Sequence, residues 1–134
     1  MLSILFSSAY AFEDSLCFDS NGSVYDCLIK ELRVAEKLER QKVKQLIAKV
    51  ESATVASTNS EMDKKAKASV IAGINTADEK WRSLVKVECG DLIDIQFFGG
   101  NGGPNASIDC MISRTNARIK EISESDSYKF WSQQ

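Results

Sequence analysis

Histidine is absent from this 134-residue chain. That removes the one side chain whose unperturbed pKa suits proton transfer near neutrality, so a His-based catalytic centre is excluded. Proline occurs once, at Pro104, and everywhere else helices can run without a built-in break. No apolar run approaches the roughly 18 residues that a membrane-crossing helix needs. An excess of charge is also lacking: 17 basic residues face 19 acidic ones, for a net −2. So small an imbalance does not point to a nucleic acid or a membrane as partner. The chain shows no internal repeat and no low-complexity tract, and its length suits a single domain with one core.

Four cysteines are present: Cys17, Cys27, Cys89 and Cys110. Structural zinc normally draws on C-x(2–4)-C pairs, so that two sulfurs reach one tetrahedral ion. Here the gaps are nine, sixty-one and twenty residues, which argues against zinc. An even count in a small exported chain implies two disulfides, and four cysteines allow three connectivities. Cys17–Cys27 and Cys89–Cys110 are favoured because each pair closes a segment rich in turn residues. The first holds Asp19-Ser20-Asn21-Gly22-Ser23, and the second holds Gly99-Gly100-Asn101-Gly102-Gly103-Pro104.

Export is expected from the start of the chain. Residues 1–6 are apolar, and Ala9-Tyr10-Ala11 has the small-x-small form of a signal-peptidase site. Residues 1–11 are thus read as a signal peptide, with a mature chain from Phe12 that is secreted or periplasmic. The apolar stretch is shorter than usual and no Lys or Arg precedes it, so the true start codon can lie upstream. The sequons Asn21-Gly22-Ser23 and Asn105-Ala106-Ser107 matter only in a host that glycosylates.

Periodicity predicts an all-α fold of three helices. The first spans residues 24–52, with Leu28, Leu32, Ala35, Leu38, Leu46 and Val50 on one stripe. A Ser/Thr/Asn cluster at residues 52–60 breaks it. Ser60 then caps a second helix that runs to about Leu92, with Val70, Ile74, Ala77, Trp81 and Leu84 in register. Only residues 92–98 hint at a strand. The third helix starts near Ser107 as N-cap, with Ile108, Ile112, Thr115, Ile119 and Ile122 in register. These stripes need a common partner, so a helical hairpin with the third helix laid across it is expected, stapled by two disulfides. Trp81, in the middle of its stripe, is expected to be buried core. The Thr115 hydroxyl is expected to bond the backbone one turn earlier. Arg118 is expected to pair with an acid such as Asp78 or Glu88 on the second helix, or to hydrogen-bond the loop carbonyls.

Paired N-terminal cysteines, a long helical hairpin, W-x7-C, a Gly-rich loop and C-x4-T-x2-R-x3-aliphatic together resemble the LprI-type lysozyme-inhibitor domain. The elements are Cys17 and Cys27; Trp81 and Cys89; Gly99 to Gly103; then Cys110, Thr115, Arg118 and Ile122. The resemblance covers residues 17–122. It departs where the family commonly has a Tyr-Arg-Asp run and this chain has Leu84-Val85-Lys86. It implies a secreted or periplasmic, mostly helical, disulfide-bonded domain without enzymatic activity, some members being associated with lysozyme inhibition.

The candidate binding segment is residues 97–105: Phe97, Phe98, Gly99, Gly100, Asn101, Gly102, Gly103 and Asn105. Glycines let the backbone approach another surface closely, and aromatics anchor many interfaces. Asp91, Asp94 and Asp109 are the acids nearest to it. No catalytic residue, metal ligand or cofactor is expected, because the cysteines are committed to bridges and the carboxylates are scattered on helix faces. The function that the resemblance implies is inhibition of a cell-wall hydrolase, with occlusion by this loop as the expected mechanism. The alternatives are a periplasmic immunity-type protein against an exported toxin, or an envelope structural module.

Overall fold

A computed structural model describes Cys17 and residues 23–53, 59–97 and 102–133. The expected signal peptide, Phe98, Gly99, Gly100 and Asn101 lie outside the described residues. Among the described residues the fold is all-α: α1 (Val24–Ser52), α2 (Ser60–Lys86), a π-turn (Val87–Asp91), α3 (Leu92–Phe97), α4 (Gly103–Glu124) and α5 (Asp126–Ser132).

Helix starts follow local chemistry. Ser23 caps α1, its hydroxyl accepting from the Asp26 N–H. At α2 the cap is Asn59, one residue before the expected Ser60, and its Oδ1 accepts from the Glu61 and Met62 N–H groups. Helix α4 begins at Gly103, four residues earlier than the expected start at Ser107, with Pro104 in its first turn. Proline's fixed φ suits that place, and its missing N–H would have found no partner there anyway. Residues 92–97 are helix, not strand. They continue α2 through the π-turn, so helix propagation outweighs a short alternation.

The hairpin of α1 and α2 and the helix α4 form a three-helix bundle. α1 packs most extensively on α4, and α2 contributes less. Two apolar clusters show the directions. Cys17, Leu28 and Leu32 meet Ile108 and Ile112 at one end. Val43, Leu46 and Val50 meet Ile74 and Ile122 at the other. So α4 runs parallel to α1 along the bundle rather than across it, and α2 runs antiparallel to both. Each fully buried Leu or Ile contributes about 1.5–3 kcal/mol. Helix α5 folds back over the second cluster with Tyr128 and Trp131.

Both expected disulfides are present, Cys17–Cys27 and Cys89–Cys110. The second ties the π-turn to α4 and so closes the Gly-rich segment across a separation of 21 residues. Replacing Cys89 and Cys110 together by Ser is expected to cost about 3 kcal/mol on the loop-entropy account. An unchanged urea midpoint for the oxidised protein and this double variant would contradict that.

Candidate functional site

The buried stripes pass through charged residues. On α1 the buried positions are Leu28, Leu32, Ala35, Glu39, Val43, Leu46 and Val50. Glu39 takes the place expected of Leu38, which is exposed. On α2 the buried residues are Ile74 and Asp78, while Leu84 is exposed. On α4 the stripe runs Ile108, Ile112, Thr115, Arg118, Ile122, with Arg118 in place of Ile119. Each helix thus brings one charged side chain to the same level, between the two apolar clusters. Their exposures are 2% for Glu39, 7% for Asp78 and 5% for Arg118.

Ionic contacts join these three. The Arg82 Nη2 lies 3.1 Å from Glu39 Oε2 and 3.0 Å from Asp78 Oδ2. Arg118 Nη2 is 3.9 Å from Asp78 Oδ1 and donates to the Tyr128 hydroxyl at 3.1 Å. Its Nη1 is 3.3 Å from Glu121 Oε2. The Arg118 guanidinium also stands over the rings of Trp81 and Tyr128, at 5.7 and 5.2 Å. Glu88, the other candidate partner for Arg118, is held instead by Arg114. The Thr115 hydroxyl donates to the Met111 carbonyl at 2.7 Å.

This layer is not fully satisfied. Glu39 Oε1, Asp78 Oδ1 and the Arg118 Nε are buried without a hydrogen-bond partner. Glu39 shares one arginine nitrogen with a second carboxylate and keeps an orphan oxygen, an arrangement that favours its protonated form. Burial first, and then the hydrogen bond and charge of Asp78, push Glu39 up to about 7, against the pull of Arg82 and Arg118. For Arg118 burial works downward, but its bonds to Tyr128 and Glu121 prevail and the net direction is up.

Trp81 is only half-buried, contrary to the expected core position. It lines a cavity of about 240 Å³ between α1, α2 and α4, with Glu39, Val85, Met111 and Thr115 deeper in and Glu36, Arg40, Arg82 and Lys86 also on its walls. The cause is the shifted register of α2, which gives the core position to Asp78. Trp81→Ala should therefore cost less than the about 3–5 kcal/mol of a fully buried aromatic. A urea midpoint as low as that of a fully buried Trp→Ala change would contradict the half-exposed placement.

The second locus is the end of the bundle stapled by Cys89–Cys110. The π-turn adds a residue to each turn, so the exposed apolar side chains Leu84, Val87, Leu92 and Ile95 keep appearing outside as α2 passes into α3. Phe97 ends that run, 40% exposed. A Cβ on Gly102 would sit 3.0 Å from the Phe97 ring, and one on Gly103 would sit 3.7 Å from Asp94 Oδ1. The ring and the helix start are thus in contact, and Asp94 supplies the acid that the first turn of α4 lacks. Gly103 is buried and Asn105 is half-buried in the first turn of α4, so neither stands at a loop tip. Asp109, the third acid near the candidate segment, is partly buried, and burial followed by the charge of Glu31 raises its pKa. Asp91 and Asp94 are exposed.

Two features of this geometry were accessible to sequence reasoning but missed. Glu39 and Asp78 each sit four residues from a buried apolar neighbour, in Ala35 and Ile74. That spacing marks them as core positions. At the other end, Cys17, Cys27 and Glu31 bring ligand-type atoms within 4.8 Å, but both sulfurs are spent in a disulfide.

The family profile described as lysozyme inhibitor LprI matches residues 17–122. No curated protein and no solved structure matches the chain.

Proposed function

The chain belongs to the LprI lysozyme-inhibitor family, and from that premise we propose that it binds a lysozyme-class peptidoglycan hydrolase and occludes its cleft with the segment between Cys89 and Cys110. The observation that carries this reading is the stapled end of the bundle. An exposed apolar face, Leu84, Val87, Leu92 and Ile95, precedes the Gly-rich segment in the chain and is left uncovered by the described residues. Anchoring both ends of a loop by a disulfide and two helices limits the entropy lost when it enters a cleft. Phe97 and Phe98 supply apolar area at its start. The backbone N–H groups of Gly99 and Gly100 and the side chain of Asn101 supply donors toward the two carboxylates of a glycosidase cleft. Asp91 and Asp94 form an acidic rim beside it. Gly102, Gly103 and Asn105 serve as its base.

The protein acts as a binder and performs no chemistry. Its site is the periplasm or the cell exterior, where two disulfides persist. No helix among the described residues is long and apolar enough to cross a membrane.

Lysis of cell-wall suspensions by several lysozyme types, with and without the protein, tests the proposal. Inhibition is expected for at least one type. Replacing Asn101 by Ala and Ile95 by Asp should each weaken it, with the melting curve shifted by no more than about 0.5 kcal/mol, as for exposed sites elsewhere. Absence of inhibition for every type would sink the lysozyme reading. Inhibition that survives deletion of residues 99–101 would move the contact to the helix faces.

A further inference from the structure

The cavity between α1, α2 and α4 has the chemistry of a small-molecule site. We propose that it binds a small amphiphilic carboxylate, with the apolar body against Trp81, Val85 and Met111 and the anionic head toward Arg40 and Lys86.

Volume comes first. A cavity of about 150 Å³ suffices for a benzene in an apolar protein interior. The one here is about 240 Å³, enough for a short acyl chain or a small ring system. It is smaller than the pockets that take drug-sized ligands, about 300–1,000 Å³, which sets an upper limit on the guest. The inner wall offers few hydrogen bonds. Thr115 lines it, but its hydroxyl is committed to the Met111 carbonyl. Glu39 Oε2 is committed to Arg82, and its Oε1 is the buried atom without a hydrogen-bond partner. Water inside such a wall is poorly held, and an apolar group that displaces it gains affinity.

Charge at the walls selects the head group. The chain is acidic overall, with a net −2. Around this cavity the balance reverses: Arg40, Arg82 and Lys86 stand against Glu36 and the buried Glu39. Arg82 is already engaged by Glu39 and Asp78. Among the described residues Arg40 pairs with Glu36 alone, at 3.9 Å, with both side chains well exposed. Lys86 makes no ion pair among the described residues. Two cations beside an apolar cavity are thus weakly compensated. An anion gains from both, whereas an ammonium meets repulsion there. A carboxylate head also avoids the bulk of a phosphodiester, which would carry a lipid too large for the space.

Octanoate, octanol and octylammonium are the probes, titrated into the full chain by calorimetry. A parallel titration follows Trp81 fluorescence in a Trp131→Phe chain, since the sequence holds only two tryptophans. Octanoate should bind saturably, at least tenfold more tightly than octylammonium, and more weakly as salt is raised. Replacing Arg40 and Lys86 together by Gln should erase the preference of octanoate over octanol while leaving octanol unchanged. Val85→Trp, which fills the cavity, should lower octanoate affinity at least tenfold. No saturation up to roughly 10 mM, beyond the weakest affinities ordinarily counted as binding, overturns the proposal. So does equal binding of the ammonium, or octanoate binding that Val85→Trp leaves intact. The unmodified chain in the calorimeter keeps the test valid if the Trp131 variant folds poorly.

Discussion

Arg118→Ala is expected to lower the stability of the folded chain by about 3–5 kcal/mol, the largest effect of any single polar substitution. Arg118 is 5% exposed and sits over two aromatic rings. Its removal strips Tyr128 and Glu121 of a partner, leaves Asp78 with Arg82 alone, and opens a void beside Trp81. Domains of this size have about 5–15 kcal/mol in total, so the variant stands near the edge of folding. Urea denaturation at low temperature measures the loss. Arg118→Lys keeps the charge but not the planar fork and should lie between the two. Replacing Glu39, Asp78 and Arg118 together by Met, Leu and Met should recover most of the loss, because removing a whole buried charge group can be neutral or stabilising. An Arg118→Ala midpoint within experimental error of the parent would show that the buried charged layer carries no stability.

Glu39→Gln is expected to change how stability depends on pH. Burial and Asp78 raise Glu39 from 4.5 to about 7 in the folded chain. A carboxyl whose folded pKa is raised binds its proton more tightly when folded than when unfolded. Its contribution is therefore fully present below about 4.5 and is lost as pH climbs through about 7. At 1.36 kcal/mol per unit, the loss is on the order of 3 kcal/mol by mildly alkaline pH. Gln has the same shape, stays neutral, and offers an amide donor toward Asp78 Oδ1 while its carbonyl accepts from Arg82. The variant should match the parent below about pH 4 and exceed it at about pH 8.5, most of the divergence falling between about 4.5 and about 7. Urea midpoints across that range decide the matter. Parallel profiles for the two proteins would mean that Glu39 is ionised throughout and that the two orphan oxygens have another explanation.

Both predictions concern residues that a reading of hydrophobic periodicity passes over. The periods themselves were legible. The uninterrupted stretch from Val24 to Ser52, the Ser/Thr/Asn break and the two later stripes dictate three long helices, because nothing in them satisfies a strand pattern and proline intervenes only once. The even count of cysteines and the turn residues between them dictate the two bridges. The departures have one physical origin. A 3.6-residue repeat tolerates an error of one position per turn, and an apolar side chain next to the true seam can stand in for a charged one within it. Leu38 and Glu39, Ala77 and Asp78, and Ile119 and Arg118 are three such neighbouring pairs.

The amino-acid sequence by itself determined the helices, their approximate lengths, the covalent staples and, through W-x7-C and C-x4-T-x2-R, the family. Local propensity, spacing and cysteine chemistry act within one segment or between two bonded sulfurs, so no knowledge of the third dimension is needed. Tertiary structure alone decided that α4 runs beside α1, that Glu39, Asp78 and Arg118 meet in one buried layer, and that Trp81 faces a cavity instead of the core. Each of those depends on how three faces rotate against one another. A charge is buried only when a partner on another helix arrives at the same height, and that height is set by the whole bundle.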